Sequence, residues 1–182
     1  NPGEPSRRWD EQEKEEKRDL MAFREQLDTH TRSIVDFTRK VNLPMGGWNM
    51  KTEFIDEGLE FSPRDMHAVF IITLRSAIDP RLADYFELIF TTEDDIEGLE
   101  IALYWTTGEP ANERQKSRAE IERVEDGKYR ALFRVSENPS YFTEGDLDSV
   151  RFDFVLPAER ANEFAREMPV FTLKEMNAFC DR

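Results

Sequence analysis

The sequence predicts an α+β chain that is mainly antiparallel β: a two-sheet β-sandwich preceded by one long N-terminal helix. Three observations carry this reading. Seven short segments rich in Phe, Ile, Val, Leu, Tyr and Thr follow one another with few helical stretches between them. Asp126-Gly127 stands between two of them, and a tight two-residue turn needs the positive backbone angles that Asp and Gly tolerate. Upstream, Leu20, Phe23, Leu27, Ile34, Phe37 and Val41 recur at alternating spacings of three and four, the stripe of an amphipathic helix.

The helix is expected from about residue 10 to 42, with 20–42 packed on the domain. Pro44 disfavours helix at the residue before it, and Gly46-Gly47 then punctuate the chain. Residues 1–19 hold Trp9 as their one large apolar side chain amid mixed charges, so they read as a charged, partly disordered tether. The heptad stripe would also serve a parallel coiled coil, which leaves the oligomeric state open, and His30 fills its one apolar slot without an apolar residue.

The β domain spans 43–182. Its strands are expected at 51–56, 66–75, 85–92, 99–106, 117–124, 128–135 and 149–156. Leu99, Ile101, Leu103 and Trp105 share one face, as do Tyr129, Ala131, Phe133 and Val135, with Lys128, Arg130 and Arg134 opposite; charges on one face mean that one side of the sheet is wet. Met66 to Leu74 and Tyr85 to Phe90 are apolar on both faces, as central strands are. After Pro157, the spacing of Ala161, Phe164, Ala165 and Met168 predicts a short late helix, and 170–174 returns to strand alternation.

Composition narrows the function. The formal net charge is -14, with 39 acidic against 25 basic residues, so the averaged field repels phosphate backbones and anionic headgroups. Nucleic acid is excluded as a partner on that ground. The longest apolar run, Ala68 to Ile72, is far short of the roughly 20 residues that cross a bilayer as a helix, so direct membrane insertion is not expected. The chain begins with Asn1 and a Pro- and Gly-rich stretch to Ser6, which suits a tether after an export signal or a lipid-attachment site. An extracytoplasmic location, periplasmic or cell-surface, is expected from this start. The single Cys180 allows no internal disulfide, and no second Cys or nearby His joins it.

No Gly-x-Ser-x-Gly elbow, phosphate-cradling Gly loop, His-Glu-x-x-His helix or Cys-His pair occurs. The chain therefore reads as a non-enzyme. His30 and His67 are isolated from each other and make no site. Glu93-Asp94-Asp95 and Glu144, Asp146 and Asp148 concentrate carboxylates in turns that could take calcium, but neither has the fixed spacing of a calcium loop. No cofactor is required.

The order of pieces between about Gly47 and Lys174 resembles the galactose-binding-like jelly-roll modules attached to glycan-processing and cell-surface proteins. The resemblance lies in Leu99-Glu100-Ile101-Ala102-Leu103-Tyr104-Trp105, a polar loop through Gly108-Glu109, and the strand ending before Asp126-Gly127-Lys128-Tyr129. Val150-Arg151-Phe152-Asp153 and the early stretch from Leu59 to Ile78-Asp79-Pro80 add to it. Phe154 stands where such modules often have Pro, and the helical insert from Ala158 to Met168 is a second departure. The resemblance implies a jelly-roll-like sandwich and a glycan partner.

Sugar recognition calls for flat aromatic platforms beside planar polar side chains, because sugar C–H faces stack on rings while hydroxyls take hydrogen bonds. Trp48, Tyr104 and Tyr141 are the candidate platforms, and Glu109, Asn112 and Arg114 the candidate loop polars. In a second reading the same aromatics are core, and the chain is a structural or adaptor protein that docks a protein partner through its helix and acidic surface. Exposure of Trp48, Tyr104 and Tyr141 on one face separates the two.

Overall fold

The computed structural model describes residues 31–40, 43–107, 111–142 and 145–180. Two antiparallel sheets face each other. Their strands, in chain order, are β1 Thr31–Asp36, β2 Met45–Trp48, β3 Met50–Ile55, β4 Gly58–Pro63, β5 His67–Ile78, β6 Tyr85–Thr91, β7 Glu100–Thr106, β8 Lys116–Arg118, β9 Glu120–Glu125, β10 Lys128–Phe133, β11 Leu147–Val155 and β12 Phe171–Phe179. One sheet runs β3-β4-β12-β6-β10-β9, with β1 also on β12, and the other runs β2-β5-β11-β7-β8. β4 pairs with the first part of β12 and β1 with the last, so the two occupy successive stretches of that strand.

Between the sheets lies a layer of phenylalanines. Phe61 of β4 and Phe171 of β12 come from one sheet, Phe70 of β5 and Phe154 of β11 from the other, and all four are fully buried. Phe61 lies 4.6 Å from Phe154 and 5.9 Å from Phe70, centroid to centroid, in tilted geometry, as interdigitating inner faces require. Strand alternation feeds the layer directly: Val150, Phe152 and Phe154 point inward from β11, while Arg151 points outward between them.

Every expected strand is present in outline, with one instructive change. The segment expected as a single strand over 117–124 is two, β8 and β9, which belong to different sheets. The chain switches sheets at Ala119, whose N–H donates to the Ile101 carbonyl. Asp126-Gly127 closes the β9–β10 hairpin with Gly127 at φ +73°. The late helix is α1, Ala161–Arg166, with Phe164 buried.

The N-terminal helix expected over 10–42 is corrected where the described chain begins. Thr31–Asp36 is a strand, and α1 is the only α-helix among the described residues. Leu20, Phe23, Leu27 and His30 of the stripe, and the tether over 1–19, lie outside the described residues. The physical reason is the edge of β12: residues 175–179 present backbone groups that need partners, and β1 supplies them in register from Thr31↔Phe179 to Asp36↔Glu175. Val35 and Phe37, two apart and so on one face, both enter the core, just after a bulge between Ser33 and Val35. The sequence reading also passed over β2 and β4, short strands between Gly and Pro residues.

Tyr141, expected at a binding surface, is fully buried and stacks edge-on against Trp105 at 5.1 Å. Its hydroxyl donates to the Ala83 carbonyl. Burial, then the nearby charges of Asp84 and Asp79, push its phenol far above the ordinary tyrosine value of 10.0. Because the unfolded chain ionises this phenol first, its contribution is intact below pH 10 and is lost as the pH rises beyond it.

Two outcomes follow for denaturant titrations. Phe61→Ala is expected to cost about 3–5 kcal/mol, since it opens a cavity that touches both sheets. Tyr141→Phe is expected to cost about 1 kcal/mol near neutrality, for one lost hydrogen bond, and to make the loss of stability above pH 10 shallower than in the parent chain.

Candidate functional site

The outer face of the five-stranded sheet collects what the sequence scattered. Strand register sets two parallel rows across it. One runs Trp48, Val69, Asp153, Ala102, Arg118, and the next Gly46, Ile71, Arg151, Tyr104, Lys116. Each residue stands beside its row neighbours because paired positions on antiparallel strands share a face.

Asp153 is the centre of this face. It is 2% exposed, and a buried carboxylate persists only with partners. Arg151, two residues away on the same strand face, supplies the main ones: its Nε and Nη2 donate to the two carboxylate oxygens at 2.6 and 2.8 Å. His67 Nε2 lies 2.7 Å from Oδ2 on the other side. The bidentate pair fixes the guanidinium as a plane. Hydrogen bonding to Asp153 raises the Arg151 pKa above its ordinary value, against a smaller opposing effect of burial.

That plane is laid against two rings. The Arg151 Cζ is 4.8 Å from the centre of Trp48 and 4.9 Å from that of Tyr104, within cation–π range of both. Trp48 keeps 48% of its surface exposed, whereas Tyr104 keeps 7%. The Tyr104 hydroxyl donates to Glu113 Oε1 at 3.1 Å, and Lys116 Nζ donates to Glu113 Oε2 at 2.7 Å while lying over the Tyr104 ring. Burial first, then the bond to Glu113, raises the Tyr104 phenol above its ordinary value, while Lys116 and then Tyr104 hold Glu113 below its own.

Backbone conformation sets the position of Trp48. Gly47 before it has φ +143°, and a Cβ there would meet the Val69 carbonyl oxygen at 1.9 Å; only glycine fits so close a strand approach. After it, Asn49 adopts φ +58° and its side-chain amide donates to the His67 carbonyl at 3.1 Å. Gly46 contributes no side chain, and the space a Cβ would occupy is open.

The sequence candidates divide accordingly. Trp48 and Tyr104 share this face, Trp48 as an exposed ring and Tyr104 as a covered one. Asn112 and Arg114 are exposed in the loop between β7 and β8. Asn112 spends its side chain on that loop, donating to Gln115 at 2.9 Å and accepting from the Arg114 N–H at 2.9 Å. Glu109 lies outside the described residues. Tyr141 is core and offers no ring face to a ligand. Arg151, Asp153, His67, Glu113 and Lys116 were not singled out as site residues. The readable signal was Arg151 and Asp153 alternating with Val150, Phe152 and Phe154, two charges on one face of an interior strand.

Of the acidic turns considered for calcium, Asp94 accepts from the Val170 N–H, Asp95 from the Glu97 N–H and Asp148 from the Thr106 hydroxyl. Among the described residues no three acidic, His or Cys side chains converge.

By sequence the chain matches no protein-family model and no curated protein. By structure it is similar to several solved proteins. A family 11 carbohydrate-binding module from Clostridium thermocellum, solved with a β-1,3-1,4-mixed-linked tetrasaccharide, superposes with TM-score 0.54 at 11% identity, over 82% of this chain and 95% of that one. A family 29 carbohydrate-binding module from Piromyces equi does so with TM-score 0.52 at 14% identity, over 82% and 89%. The chain folds as a jelly-roll β-sandwich. An agarase carries the same jelly-roll sandwich over a quarter of its length, with TM-score 0.55 at 8% identity over 84% of this chain and 25% of that one. At these identities the shared property is the fold.

The Arg151–Asp153 pair is testable by itself. Arg151→Met, which strands a buried carboxylate, is expected to cost about 3–5 kcal/mol in a denaturant titration. Arg151→Met with Asp153→Leu, which removes both charges, is expected to cost less than Arg151→Met alone.

Proposed function

We propose that this chain is a non-enzymatic carbohydrate-binding module, displayed outside the cytoplasm, that takes a glycan on the outer face of its five-stranded sheet. The observation that carries the reading is the exposed Trp48 ring held against the Arg151 plane. A sugar ring stacks its C–H face on the indole, and the neighbouring polar row of Arg151, Glu113 and Lys116 faces its hydroxyls. The likeness of fold to modules that carry carbohydrate-binding names supports the reading, as does the resemblance in strand order seen in the sequence. Asp153 acts behind the surface, holding Arg151 in place, and His67 lies beside it.

Pre-organisation is what this arrangement offers. The guanidinium is already fixed by Asp153 and the indole by the two Gly residues and Asn49, so a glycan loses little by ordering them.

Binding to a broad panel of soluble and insoluble polysaccharides, with and without calcium, is the test. Selective binding that falls at least roughly tenfold in Trp48→Ala is expected, about 1.4 kcal/mol of stacking, with the thermal midpoint unchanged. Tyr104→Phe, which keeps the ring under Arg151 and loses the bond to Glu113, is expected to change affinity much less. Absence of binding to every glycan would favour the adaptor reading, in which the partner is a protein.

A further inference from the structure

Away from the Trp48 face, a cavity of about 230 Å3 opens at the side of the sandwich between β1 of one sheet and the last part of β5 of the other. β2 covers β5 only between Val69 and Ile72. Val35, Leu74 and Ile78 of the core floor the cavity, with Leu43 against them. Its rim is polar: Arg32 and Ser33 come from β1, Arg75 and Ser76 from β5.

Arg81, Arg123, Arg130, Arg134, Arg151 and Arg160 each sit against a carboxylate. Arg32, Arg75, Ser33 and Ser76 have no side-chain hydrogen bond or ion pair among the described residues. Arg64, Arg114, Arg118 and Arg166 are likewise without an ion pair among the described residues, and what sets Arg32 and Arg75 apart is that the two line one cavity together. The acid that lines the cavity, Asp36, is already engaged. Its carboxylate accepts from the Thr38 N–H and hydroxyl and lies 3.6 Å from Arg39, and the bonds to Thr38, first the hydroxyl's, hold it below the ordinary carboxylate range.

We propose that this cavity is a second ligand site, specific for a carboxylate-bearing ligand of single-sugar size, a uronic acid. Two guanidinium groups supply charge-assisted, bidentate recognition of a carboxylate. Ser33 and Ser76 offer donors and acceptors for hydroxyls, and the Leu43–Leu74–Ile78 floor accepts an apolar C–H face. A cavity of about 230 Å3 has room for one pyranose ring. The site shares no residue with the Trp48 face, so it stands whether or not that face binds glycan.

Calorimetric titration of the full chain with sodium glucuronate tests it, with glucose and sodium sulfate as comparators at low and high salt. Glucuronate is expected to saturate one site, with glucose at least roughly tenfold weaker and sulfate a poor competitor. Arg32→Gln and Arg75→Gln are each expected to weaken glucuronate several-fold, and the double variant to abolish it. Both side chains are exposed and without an ion pair among the described residues, so the thermal midpoints of the variants are expected to match the parent. Trp48→Ala is expected to leave glucuronate binding unchanged. The proposal is overturned by absence of saturation, by equal binding of glucose, by sulfate competing as well as glucuronate, by retained binding in the double variant, or by its loss in Trp48→Ala.

Discussion

The phenylalanine layer between the sheets is the constraint from which the rest of the structure follows. Phe61, Phe70, Phe154 and Phe171 interdigitate from both sides, and because strand side chains alternate with period two, fixing which residues point into that layer fixes which point out. With Phe152 and Phe154 inside, Arg151 and Asp153 must face outward on the central strand of the five-stranded sheet. A slip of one residue would place two charges in the core and two rings in water.

The outer face is then a solution to a problem that the fold sets. Flanking strands on both sides leave Asp153 almost without solvent, and an unpaired carboxylate there would be too costly to keep. Arg151 neutralises it and His67 lies at hydrogen-bond distance beside it, and the guanidinium so fixed becomes a flat, charged surface for Trp48 and Tyr104. In the proposed reading, stability and recognition draw on the same pair. The electrostatics of this face are local, carried by contacts of a few ångströms, and so differ in sign and meaning from the net charge of the whole chain.

Legibility in the sequence was uneven for identifiable reasons. Strands whose alternation serves one buried face, such as β7, β10 and β11, were plain, and Asp126-Gly127 marked its hairpin through backbone chemistry alone. β1 was misread because Ile34 and Phe37 fit a helical spacing equally well; the open edge of β12 and the bulge after Ser33 decide for strand, and neither is written in the local residues. Trp48 was a candidate platform because it lies in or near a predicted loop. Tyr141 looked similar, yet a short 3-10 turn carries it inward against Trp105. The partners of Trp48 lay far away in the chain, Arg151 more than a hundred residues on, and only sheet order brings them to one row.

By itself, then, the sequence determined the class of fold, the hairpin, most strand positions and the absence of recognised catalytic motifs, because these depend on periodicity and on the conformational limits of single residues. Only the tertiary structure decided that Thr31–Asp36 is a strand, that one predicted strand is divided between two sheets, and that Tyr141 is core while Trp48 is surface. It also decided which groups meet: Arg151 and His67 with Asp153, and Arg32 with Arg75 at one cavity whose lining acid, Asp36, is engaged by Thr38. The reason is that pairing between strands distant in sequence is set by edge hydrogen bonding and by the fit of one sheet on the other, which are properties of the assembled sandwich and not of any segment.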